Sequence, residues 1–226
     1  ARLAAQPQPA WVKGELAAWL SGALRRNVRS EVARSLVEGL VGLAESEGPD
    51  AHLEGHAVWQ LSSALGDCTD DLRGRLALSG LVRIAAQATS SPDVLVAAAE
   101  ALGSAAVGIN VKRARRAVRG LARLAQAAES AEAQHAVVKK LGAAVLSADG
   151  IVAKVAVRSL VAVAASGRSD KQLIISEFRA ADRQSMPLAV RIEVRDALMT
   201  VMQLKEQELQ AAKGQAFAAS RRAPAA

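Results

Sequence analysis

Five short segments return along this chain at a nearly constant interval: GLVGLA at 39–44, GLVRIA at 80–85, GLARLA at 120–125, SLVAVA at 159–164 and ALMTVM at 197–202. Their aligned leucines, Leu40, Leu81, Leu121, Leu160 and Leu198, are separated by 41, 40, 39 and 38 residues. Such a period marks stacked supersecondary units, each unable to bury its apolar face without a neighbour. The unit reads as helical. Hydrophobic residues make up 51% of the chain but aromatic residues only 2%, with no Tyr, so the apolar content is mostly Ala, Val and Leu. These are good helix formers or small packing residues, whereas a β sandwich or barrel would show more aromatics and alternating runs. The fold class expected is all-α, with 226 residues forming one continuous body.

Residues 111–128, VKRARRAVRGLARLAQAA, give the clearest single helix. At 100° per residue Val111, Ala114, Ala117, Val118, Leu121, Leu124, Ala125 and Ala128 share one broad face, and Lys112, Arg116, Arg119 and Arg123 form a stripe opposite. Before the repeats, residues 1–10 read as a flexible segment and residues 11–26 as a capping helix, with Trp19 covering the open end of the first unit. Helix pairs follow, broken at Gly48-Pro49-Asp50 and at residues 89–92. Three second helices carry Leu-Gly near their ends, at Leu65-Gly66, Leu102-Gly103 and Leu141-Gly142, where glycine suits the left-handed turn that closes a helix. The fourth, LIISEFRAA at 173–181, lacks that ending, and the turn after Gly66 is unusually polar; either is read as a break in curvature. Pro187 introduces a long C-terminal helix over residues 188–219 that could pair with a partner or a second copy, and residues 220–226 read as a disordered tail. The domain is expected to span residues 11–219.

The segment SPDVLVAAAEALG at 91–103 resembles the second helix of a HEAT repeat, with its turn Pro and Asp, spaced small apolar residues and Leu-Gly ending. PLAVRIEVRDAL at 187–198 is similar, and carries the Val-Arg pair such helices favour. The resemblance to the HEAT and armadillo class covers about residues 27–203. It implies a right-handed superhelical α-solenoid of about five HEAT-like helix pairs. It identifies an architecture and not an activity.

Charge supplies the functional expectation. The formal net charge is +7 and the pI about 10.2, which favours acidic partners. Six residues before the aligned leucines stand Arg34, Arg75, Arg115 and Lys154, and Arg191 lies seven before Leu198. In stacked helices these would sit roughly 10 Å apart in a line. HEAT-like repeats also use an arginine near this region to hold an Asp or the carbonyls of a neighbouring turn, and Asp71, Asp93, Asp149 and Asp170 are available as acceptors. The stripe Lys112, Arg116, Arg119, Arg123 is harder to explain structurally, because residues 111–128 contain no acid and solvated helix faces usually mix signs. Lys154 with Arg158, and Arg191 with Arg195, continue the spacing of four.

The expectation is a non-catalytic scaffold for an acidic macromolecule, foremost a protein. The alternative is sequence-independent binding of nucleic acid by its phosphates. No aromatic residues interleave with the cations, which argues against base stacking on single strands. A HEAT-like enzyme such as a DNA glycosylase or a lyase is the remote reading: a glycosylase would demand aromatics and a carboxylate around an extruded base, whereas Trp11, Trp19 and Trp59 lie near one end. No serine elbow or phosphate loop is present. His52 and His56 share a helix face with Asp67 and Cys68 downstream, but the order of residues is not that of a zinc protease, so neither a metal nor another cofactor is expected.

The single Cys68 excludes an intramolecular disulfide, and no segment reaches the roughly 18 apolar residues of a membrane span. A soluble chain is expected, with the cytoplasm the slightly favoured compartment. The opening ARLAAQPQPA has no initiator Met and no apolar core of a signal peptide, so the start is read as an excerpt or a processed product.

Overall fold

The computed structural model describes residues 10–25, 30–45, 51–66, 71–86 and 91–222. Among them are ten α-helices and no strand: α1 Ala10–Arg25, α2 Ser30–Glu45, α3 Ala51–Gly66, α4 Asp71–Ala86, α5 Pro92–Ala106, α6 Val111–Ala127, α7 Ala131–Val145, α8 Gly150–Ala165, α9 Lys171–Asp182 and α10 Leu188–Arg222. No described helix is long and apolar enough to cross a membrane. The polar turn after Gly66 falls outside the described residues. Residues 220–222, expected in a disordered tail, continue α10.

Local signals set these boundaries. Ser91 precedes Pro92 at the first turn of α5 and accepts from the Val94 N–H. The side chain of Asn110 caps α6 by accepting from the Arg113 N–H at 3.0 Å. Asp149 caps α8 through the N–H groups of Ile151 at 3.0 Å and Val152 at 2.9 Å, and Asp170 caps α9 through that of Gln172 at 2.7 Å. Each satisfies a backbone donor that the helix itself leaves open. Between α6 and α7 the turn is pinned by buried Gln134, which donates to the Ala128 carbonyl at 2.8 Å. Gly167, with φ 71°, makes the left-handed turn between α8 and α9.

The helices form two rows. Even-numbered α2, α4, α6, α8 and α10 pack side by side in chain order, and odd-numbered α1, α3, α5, α7 and α9 do the same behind them. The capping helix α1 therefore takes the first place in the odd row. Trp19 does not cover that end, being 63% exposed; α1 instead packs through Ala17, Leu20 and Leu24. One apolar core runs between the rows. Leu40, Leu81, Leu121 and Leu160 are completely enclosed, while Leu198 on α10 is only partly buried, with α8 the one even-numbered neighbour of α10 among the described residues.

Small residues set how closely neighbouring helices approach. A Cβ added to Gly120 of α6 would lie 2.6 Å from Val82 Cγ2 of α4, and one on Gly80 would lie 3.0 Å from both Val37 and Leu61. Their equivalents on α8 and α10 are Ser159 and Ala197, both buried. The Leu-Gly sites need a correction. Gly103 and Gly142 lie inside α5 and α7 and are buried rather than closing them in a left-handed turn. A Cβ on Gly103 would strike the Lys140 side chain of α7, and one on Gly142 the Glu177 side chain of α9. Exposed Arg179 of α9 follows Phe178 in the sequence, as these glycines follow leucines, at the last place in the odd row.

Candidate functional site: an arginine-rimmed groove

Packing α4 beside α6 brings their outward residues together around a groove of about 530 Å³. Leu78, Val82 and Ala86 of α4 give it an apolar floor, which Gly120 of α6 leaves open by having no side chain. Arg75 and Arg83 line it from α4, and Arg116, Arg119 and Arg123 from α6. Among the described residues no ion pair reaches Arg75, Arg119 or Arg123, whereas Arg83 donates to Glu38 of α2 at 2.8 Å.

The remaining expected site residues are distributed differently. Arg34 and Lys112 are exposed on α2 and α6. Arg115 is partly buried, with its guanidinium 4.0 Å from Asp149, the residue that caps α8. Lys154 and Arg158 of α8 converge on Glu193 of α10 at 3.8 Å and 2.8 Å. Arg195 meets Asp182 at 2.9 Å, and Arg191 is partly buried on α10. The line of cations is therefore interrupted. Glu38 neutralises it on one side of the groove and Glu193 on the other, leaving the α4–α6 interval as its most cationic part.

Arg113, two residues before aligned Arg115, reaches back to a neighbouring turn as an arginine of this kind can. Its guanidinium donates to the Leu65 carbonyl near the end of α3 at 3.4 Å and lies against Gly74 of α4. Arg83 was missed altogether in the sequence, although it stands two residues after Leu81 as Arg123 stands two after Leu121. The same register position holds Gly42, Ala162 and Thr200 on the other even helices. That comparison alone would have singled out α4 and α6.

Helix α6 carries this charge at a cost to itself. Lys112, Arg113, Arg115 and Arg116 lie in its first two turns without an acid, where the positive end of the helix dipole disfavours cations. Like charges also meet four apart at Lys112 and Arg116, Arg115 and Arg119, and Arg119 and Arg123, each pair unfavourable by about 0.2–0.5 kcal/mol. A groove of about 640 Å³ on the odd row between α5 and α7 offers a contrast. Lys140 there pairs with Glu100 at 2.5 Å, and Lys139 with Glu177 at 2.7 Å, so charge is matched within the fold.

Of the residues weighed as metal ligands, the side chain of His52, with Asp67 and Cys68, lies outside the described residues. His56 stands beside Trp59 with ring centroids 6.0 Å apart, and its Nε2 is 3.4 Å from the Gln60 amide nitrogen.

No family model matches the chain, and no curated protein matches it. Among solved structures it is similar to an engineered protein whose crystal structure was a target of the Northeast Structural Genomics Consortium. That similarity has 19% sequence identity and a TM-score of 0.44, and covers 85% of this chain and 89% of the other.

Proposed function

We propose that this chain is a HEAT-like α-solenoid, with the right-handed superhelical sense of that class, that acts as a non-catalytic scaffold and receives an acidic protein segment in the α4–α6 groove. The architectural part is supported by two rows of helices in chain order and by a leucine period of 38 to 41 residues. The observation that carries the function is an apolar floor of Leu78, Val82 and Ala86 beneath a rim of five arginines. A peptide whose carboxylates alternate with apolar side chains matches both parts. Arginine forks hold carboxylates in bidentate fashion, and the floor buries what lies between them. A nucleic-acid backbone presents little apolar surface to a floor of this kind, and it favours an extended track of cations, which Glu38 and Glu193 interrupt.

The test is fluorescence anisotropy with three labelled probes: a peptide alternating Glu with Leu, its Lys-for-Glu counterpart, and a short DNA duplex. The reading expects the acidic peptide to bind and the basic one not to bind. Arg116→Glu/Arg119→Glu/Arg123→Glu should weaken binding by at least about tenfold while the chain stays folded and helical. DNA binding tighter than peptide binding, with a steep salt slope, would transfer the groove to the phosphate-binding alternative.

A further inference from the structure

Helix α10 is apolar on two opposite faces. Its inward stripe, Val190, Val194, Ala197 and Val201, is buried against α8 and α9, with spacings of four, three and four. Offset from it by two residues and one in alternation, and so by about 200° and about 100° around the axis, a second stripe faces outward with spacings of three, four, three, four and three. It runs through Ile192, Arg195, Met199, Met202, Glu206 and Leu209. All six are exposed, the four apolar members by 52%, 58%, 39% and 56% respectively. A four-three alternation is the heptad seam of a coiled coil. The helix also continues to Arg222, past Leu204, its last residue packed against the core. An uncovered helix of such length is marginal in water without a partner.

The charges within the seam select the partner and its direction. A second α10 laid antiparallel, with the two-fold axis passing between Thr200 and Val201, sets Ile192 against Leu209, Arg195 against Glu206 and Met199 against Met202. Each layer then appears twice, apolar on apolar and cation on anion. Sliding the register by one heptad places Arg195 against Met199 and Glu206 against Leu188. A parallel pair places Arg195 on Arg195 and Glu206 on Glu206. Both arrangements are disfavoured, because a charge in a seam needs an opposite partner. The inward side of α10 is held separately, by Lys171 of α9 paired with Glu208 and by Lys205 donating to Gln172 at 2.5 Å. On the outward side Arg195 also meets Asp182 of its own chain at 2.9 Å, a pair that a facing Glu206 would share.

We infer that two copies of this chain associate through α10 as an antiparallel helix pair in this register, independently of what the α4–α6 groove binds. Sedimentation velocity on the full chain over a concentration series should show a monomer–dimer equilibrium. Met199→Glu/Met202→Glu should give a monomer that stays folded, with most of its helicity retained. Arg195→Glu and Glu206→Arg should each weaken the dimer by about tenfold, and the double variant Arg195→Glu/Glu206→Arg should recover most of that loss. In a parallel pair the single changes replace one like-charge layer by another and leave affinity almost unaltered. A chain that stays monomeric throughout, a dimer untouched by the Met199 and Met202 changes, or a double variant no better than the singles would overturn the inference.

Discussion

Val82 Cγ2 on α4 lies 2.6 Å from the point a Cβ on Gly120 of α6 would occupy. This contact sets the separation of the two helices that build the arginine groove. Gly120→Ala gains about 1 kcal/mol of helix propensity but wedges a methyl against a stiff β-branched side chain, at about 1–3 kcal/mol. Net destabilisation is expected. At Gly142 the approaching group is the flexible carboxylate end of Glu177, which can swing away at the cost of its exposed pair with Lys139, worth about 1 kcal/mol at most. Gly142→Ala should be close to neutral. Urea denaturation of the two variants checks the contrast, and equal losses would contradict it.

The aligned leucines should differ in the same measurement. Leu121→Ala removes a fully enclosed side chain and is expected to cost about 2–5 kcal/mol. Leu198→Ala, at a partly covered site on the last helix, should cost distinctly less.

Most of the scaffold was legible in the sequence, because the information is local and periodic. The apolar face of α6, the turn at Pro92 and the leucine interval each follow from neighbouring residues. What misled was contact between helices about 40 residues apart. Gly103 and Gly142 look like helix stops in one dimension and are close-approach sites in three. Trp19, expected over the open end of the first unit, is exposed, and the packing is done by Leu20 and Leu24. The candidate site was legible only in part. Arg116, Arg119 and Arg123 could be chosen from α6 alone, but the pairing of Lys154 and Arg158 depends on Glu193, which arrives from a different helix. Arg83 required reading one register position across all five repeats.

Repulsion within α6 predicts an unusual salt response. Screening the cations between about 20 and about 300 mM NaCl should relieve on the order of 1 kcal/mol, and so raise Tm by about 2–4 °C for a chain of this size. Arg116→Gln/Arg119→Gln should be more stable than the parent at low salt and should lose most of this dependence. Thermal unfolding followed by circular dichroism reads both effects.

Glu38 and Glu193 are predicted to confine the basic field to the groove. Glu193→Gln releases Lys154 and Arg158, and Glu38→Gln removes the carboxylate that Arg83 meets on α2. The double variant should bind a DNA duplex more tightly, with a salt slope steeper by about two to three. It should lose little stability, since most of these exposed pairs are worth about 0–1 kcal/mol each. Titration of a labelled duplex at several salt concentrations measures the slope, and an unchanged slope would show that these acids do not bound the field.

The α4–α6 groove is proposed to receive an acidic, partly apolar protein segment. The most direct test is the anisotropy titration of the alternating Glu and Leu peptide against the wild-type chain and against Arg116→Glu/Arg119→Glu/Arg123→Glu, at about 150 mM salt. Saturable binding to the wild type is expected, with a loss of at least about tenfold in the variant while it stays folded and helical. Equal binding to both proteins, or none to the wild type, would contradict it.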